Sequence, residues 1–150
     1  MQNGLASLRD FVTRLGRGEA TPPPIAELIG FRPVSVDADQ AVFEMDAEPS
    51  KHANPMGTVH GGVLATLADT AMGMVYAAQL EDGETFATLE LKINFLRPVW
   101  QGRLVATARV VQAGRTVGLT ECDVVDDAGK LVARASSTCM TLRGERGAGR

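Results

Sequence analysis

The chain is poor in cysteine: Cys122 and Cys139 are the only two in 150 residues, and no CxxC pair or Cys/His cluster accompanies them. Both lie in strand-like runs, which predicts reduced core thiols and no metal site. It also lacks an excess of one charge. Fifteen Lys and Arg against 18 Asp and Glu give a net −3 with the signs interspersed. Without a basic stripe to neutralise phosphates, nucleic acid is not an expected partner, although single arginines can still meet an acidic small molecule. Near the start, Arg9, Asp10 and Arg14 interrupt the short apolar groups, so the charged and then long apolar pattern of a secretory signal is missing and a cytoplasmic location is expected. Residues 55–80 are the most apolar stretch, but His60, Asp69 and many Gly, Ala and Thr make a poor bilayer span, and no membrane association is expected. No internal repeat is visible.

The residues that are present fit one domain, long enough to bury roughly 68–70% of the surface its unfolded chain exposes. Leu5, Leu8, Phe11, Val12 and Leu15 recur at helical spacing, so a short helix and linker occupy residues 1–24. Residues 25–29 suggest one helical turn. Residues 31–36 then read as a strand that Pro33 confines to an edge or a bulge, with a turn after it at 37–39. In residues 40–46, Ala41, Phe43 and Met45 alternate with Val42, Glu44 and Asp46, which marks the second strand of a hairpin. Residues 47–58 read as a loop, and residues 59–79 as a helix whose apolar side chains cover most of its circumference. Such a helix belongs inside something. Four runs rich in Val, Thr, Leu and Ile come next, at 86–95, 103–113, 116–126 and 131–142, with short separators; they predict an antiparallel meander. The fold class is therefore α+β, a sheet of five to six strands curled around a long helix, spanning 25–142, with a frayed tail at 143–150.

Chemistry concentrates in residues 54–69, where Asp69 is a lone carboxylate in an uncharged helix. A buried carboxylate is costly, so either it is paired locally with a Thr hydroxyl or a backbone N–H, or it has work to do. Upstream, His60 precedes Gly61 and Gly62 at the helix start, where N–H groups without intrahelical partners can polarise a carbonyl. Each of these has a plainer reading as well: His60 as a structural histidine bonded to backbone, and the glycines as points of close packing.

Asn54, six positions before His60-Gly61-Gly62, with Asp69 nine positions after that histidine and Ile93-Asn94-Phe95-Leu96-Arg97-Pro98 downstream, resembles the hotdog-fold acyl-CoA thioesterases of the phenylacetate-degradation type. The resemblance covers nearly the whole chain after the first helix. It implies a sheet wrapped around the central helix, homodimers joined edge to edge that often pair into homotetramers, and active sites shared across the dimer interface. Carried over residue by residue, the Gly61 N–H would hold the thioester oxygen, and Asp69 of the partner would attack or activate water. Asn54 would help hold thioester or water and Thr88 would orient the nucleophile, while His60, pointing across the loop, would fix the Gly61 peptide so that its N–H faces the substrate. Gly62, Leu64, Arg97, Arg115 and Thr116 would meet the acyl group or coenzyme A. No cofactor is implied, since coenzyme A is part of the substrate. Two alternatives remain at this point: an enoyl- or hydroxyacyl-thioester hydratase, and a non-catalytic acyl-CoA-binding module. The first helix lacks the basic companion that a DNA-binding regulator would need.

Overall fold

The computed structural model describes residues 7–147. Leu5 of the predicted first helix lies outside them. Helix α1 (Leu8–Gly16) begins where the Ser7 hydroxyl accepts from the Asp10 N–H, and it buries Val12 and Leu15. It packs on strand β1 (Phe31–Val36) and on the central helix α4 (Gly61–Ala77). Contact is close at its end, where a Cβ on Gly16 would lie 2.7 Å from the Val36 backbone. Between them, α2 (Pro24–Ile29) is a single turn and a half that Gly30 ends in the left-handed conformation.

One sheet of six antiparallel strands forms the wall, in the order β1, β2 (Gln40–Ala47), β4 (Gly102–Ala113), β5 (Val117–Val125), β6 (Leu131–Leu142), β3 (Thr85–Phe95). The hairpin of β1 and β2 is as predicted: β1 is an edge strand with an irregular register at Pro33, and Ala41, Phe43 and Met45 are fully buried. The strands after the helix do not form a simple meander. β4, β5 and β6 are consecutive neighbours, but β3 pairs only with β6, at the far edge, and residues 96–101 carry the chain across to β4 beside β2. Short separators cannot distinguish a hairpin from a crossover, and the Arg97-Pro98 break is the crossover.

Helix α4 lies on one face of this sheet, against β2, β4, β5, β6 and β3. It is shorter than predicted, because His60 caps its start and Ala78 its end. Leu64, Leu67, Ala68, Ala71, Met72, Val75 and Tyr76 are buried, whereas Gly62 and Asp69 are exposed. The expectation of a helix enclosed all round, with Asp69 buried, therefore fails for this chain: one stripe of α4, with Gly62 and Asp69, faces outward. The other miss is α3 (Pro49–His52), one turn started by proline and too short to show periodicity. Beyond β6, residues Gly144–Arg146 form a 3-10 turn, and the Arg143 guanidinium donates to Glu84 at 2.6 Å.

Tyr76 ties the far end of α4 to the sheet, its hydroxyl 2.8 Å from the Thr141 hydroxyl and its ring edge-on to Phe86. Gly118 makes room for that ring, since a Cβ there would lie 2.5 Å from Tyr76 Cε2. Gly118→Ala should accordingly destabilise the fold by about 1–3 kcal/mol, read as a lower urea midpoint with unchanged m.

Candidate active site

The start of α4 is held by a loop that stitches itself together. Asn54 accepts at Oδ1 from the Met56 N–H (3.0 Å) and the Thr58 N–H (3.1 Å), and donates from Nδ2 to the Thr58 hydroxyl (2.8 Å). Gly57, at φ +84°, makes the tight bend possible. The Val59 N–H donates to the Val99 carbonyl at 2.7 Å, which ties this loop to the segment leaving β3. Beneath lies His52, only 4% exposed. Its Nδ1 accepts from the Glu48 N–H at 2.9 Å and its Nε2 donates to the Ile29 carbonyl at 2.8 Å, the pattern of a neutral imidazole. Its own carbonyl accepts from the His60 N–H at 2.8 Å. Sequence alone does not single this residue out. A buried histidine in a four-residue turn carries no signal until its partners, 4 and 23 residues away, are known.

His60 takes the structural role. Its Nδ1 accepts from the Gly62 N–H at 2.9 Å, capping the helix. It engages the Gly62 peptide rather than Gly61. Among the described residues the Gly61 N–H has no acceptor, and it sits at the positive end of a 17-residue helix. Gly61 faces a cleft of about 420 Å³ lined with Asn54, Thr58, Val59, Leu64, Phe95, Arg97 and neighbours. The cleft thus gathers Asn54, Gly61, Leu64 and Arg97 from the predicted site residues. Arg97 is exposed and has no carboxylate partner among the described residues, so its guanidinium is available to an anion.

The remaining predicted residues lie elsewhere in the protomer. Asp69 is eight residues along α4 from Gly61, about 12 Å at 1.5 Å per residue. It faces Thr88, which stands at a bulge in β3 opposite Cys139. Although Asp69 reaches solvent, partial desolvation against the helix and the sheet edge raises its carboxyl pKa, and the neighbouring Thr88 hydroxyl opposes that rise. The Asp69 charge in turn helps hold the buried Cys139 thiol neutral, though burial is the larger cause. Both cysteines are free and buried, and Cys122 is pushed up to about 12 by burial with help from Asp123. Arg115 lines a second cleft, at the other end of α4, with Tyr76, Glu84 and Arg143, and Thr116 is next to it in the same turn. Among the described residues no group of three or more His, Cys, Asp or Glu converges as metal ligands, and no helix is long and apolar enough to cross a membrane.

Comparison with known proteins identifies the family. Residues 56–133 match the thioesterase superfamily. Human acyl-coenzyme A thioesterase 13 is 34% identical over 107 residues, 70% of this chain and 75% of that one. The 1,4-dihydroxy-2-naphthoyl-CoA hydrolase of Listeria monocytogenes is 32% identical over 108 residues, 72% of this chain and 87% of that one. Among solved structures, a phenylacetic acid degradation-related protein of Ralstonia eutropha superposes with a TM-score of 0.78 at 38% identity, covering 87% of this chain and 98% of that one. The chain belongs to the thioesterase superfamily and has its hotdog fold, one sheet packed on a long helix.

Two measurements check the site. Thr88→Val should raise the Asp69 carboxyl pKa further, seen as an upward shift in its carbon-13 NMR titration, because the donor that favours the charged form is lost. His52→Ala should cost about 2–3 kcal/mol in chemical unfolding, since it strands the Ile29 carbonyl and the Glu48 N–H.

Proposed function

We propose that the protein hydrolyses a small or medium acyl-CoA thioester, aromatic acyl groups included, to the free acid and coenzyme A, in sites shared by two protomers. The observation that carries this reading is a separation: the unpartnered Gly61 N–H and the Asp69 carboxylate lie about 12 Å apart along one helix, so one chain does not bring both to one carbonyl. Two chains do. β3 is an 11-residue edge strand with no strand on its outer side among the described residues, and Leu89 at its bulge is exposed. A long bare edge of this kind is an aggregation hazard unless something covers it. Pairing with the same strand of a second copy covers it and brings one protomer's Asp69 and Thr88 toward its partner's helix start. Further pairing into a tetramer would extend the same assembly.

The chemistry is then a matter of charge. As the thioester carbon is attacked, negative charge develops on its oxygen, and the Gly61 N–H with the helix end stabilises it, a donor of this kind contributing about 3 kcal/mol. Asp69, ionised, attacks the carbonyl carbon or takes the proton from the attacking water, and Thr88 orients it. The thiolate of coenzyme A leaves without strong acid assistance, which is why one carboxylate and a few dipoles suffice. Arg97 at the cleft mouth and Arg115 at the far cleft are the cations for its phosphates. Asn54 takes part chiefly by shaping the loop, since its side chain is already engaged there. The names of the human and Listeria relatives support an acyl-CoA substrate. A hydratase would need His60 as a base, and its Nδ1 is already capping Gly62.

Release of free coenzyme A thiol from a panel of acyl-CoAs tests the reading. Asp69→Ala and Asp69→Asn should each lower kcat by at least about 100-fold while leaving the fold intact. Wild-type rates in both variants would remove Asp69 from the mechanism.

A further inference from the structure

Gly61 and Gly62 open α4 back to back, and glycine in a helix costs about 1 kcal/mol relative to alanine. Neither residue is among those with positive φ, so backbone conformation does not require them. Space does. A Cβ on Gly62 would lie 3.0 Å from His60 Nδ1, so the capping imidazole accounts for that glycine. A Cβ on Gly61 would lie 2.8 Å from Phe95 Cζ, with both Cε atoms at 3.1 and 3.2 Å. The tip of the Phe95 ring is therefore set end-on against the α-carbon of the residue that carries the free N–H. The ring stands on a fixed base, because the next two N–H groups, of Leu96 and Arg97, both donate to the Val132 carbonyl, at 2.8 and 3.2 Å. Yet Phe95 is 54% exposed, and its open side lines the same cleft as Gly61. A large apolar ring held half in the open beside a bare donor is placed to touch whatever that donor binds.

We infer that Phe95 is a positioning and specificity residue, a wall beside the Gly61 N–H that seats the thioester carbonyl, sheds water from it and admits acyl groups that are flat or unbranched at the carbon next to the carbonyl. This role rests on the protein being a thioesterase. Gly61 is then glycine to admit the ring and not to admit the ligand. The two roles for that glycine predict opposite outcomes for Gly61→Ala, which keeps the N–H and favours the helix.

The test is a double-mutant cycle of Gly61→Ala with Phe95→Ala, assayed with butyryl-CoA and isobutyryl-CoA, each variant first shown to be folded by thermal melting. Gly61→Ala should lower kcat/KM roughly 100-fold by pushing the ring out of place, since displacements of about 1 Å cost that much. In the Phe95→Ala background the same change should cost less than about threefold, the coupling expected of side chains in contact. Phe95→Ala alone should lower kcat more than it changes KM, and should raise the rate on isobutyryl-CoA relative to butyryl-CoA at least about fivefold, a ratio that a merely structural residue would leave alone. Equal penalties for Gly61→Ala in both backgrounds, or an unchanged substrate ratio, overturn the inference while the thioesterase reading stands. A wild type inactive on every thioester overturns both.

Discussion

Everything in this molecule hangs on the need to bury α4. Its sequence offers a sheet Leu64, Leu67, Ala68, Ala71, Met72 and Val75, and six strands close over them with Phe43, Met45, Leu104, Ala106, Val124 and Val132. A helix laid across a curled sheet is covered on the face it turns to the sheet and is bare at its ends. Its first N–H groups, which no residue of the helix can satisfy, are delivered to the rim of the sheet. Packing thus places an open donor at that rim.

Fixing that rim takes a second layer of polar contacts. His52 is clamped between the Glu48 N–H and the Ile29 carbonyl, and its carbonyl holds the His60 N–H. Asn54 folds the intervening loop around its own side chain, and Val59 is tied to Val99. Among the described residues one donor is left free at the end of this chain of bonds, and it is the Gly61 N–H. A carbonyl oxygen binding there would find the donor preorganised, because no hydrogen bond among the described residues has to break to receive it.

Much of this is readable in sequence where the signal is periodic or local. The alternation of Ala41, Phe43 and Met45, the bulge forced by Pro33 and the helix begun at His60-Gly61-Gly62 are all of that kind, and each falls where expected. Contacts distant in sequence are a different matter. Nothing near β3 says that it pairs with β6 rather than β4, and the two glycines look alike until Phe95, 34 positions from Gly61, is seen against one and His60 against the other. The apolar neighbours of Asp69 predict a buried carboxylate, but they describe the helix and not the face on which one residue stands.

Under the proposed function, that exposed face is what makes Asp69 useful. In the single protomer its carboxyl pKa is already raised by partial burial, with Thr88 opposing the rise. Covering the β3 edge with a second chain would remove more water from the same carboxylate and bring it under another helix's positive end. The first effect strengthens it as a base, and the second keeps it ionised. Assembly and activation would then be one event, and a chain held apart from its partner would carry an open donor and an idle carboxylate at separate ends of the same surface.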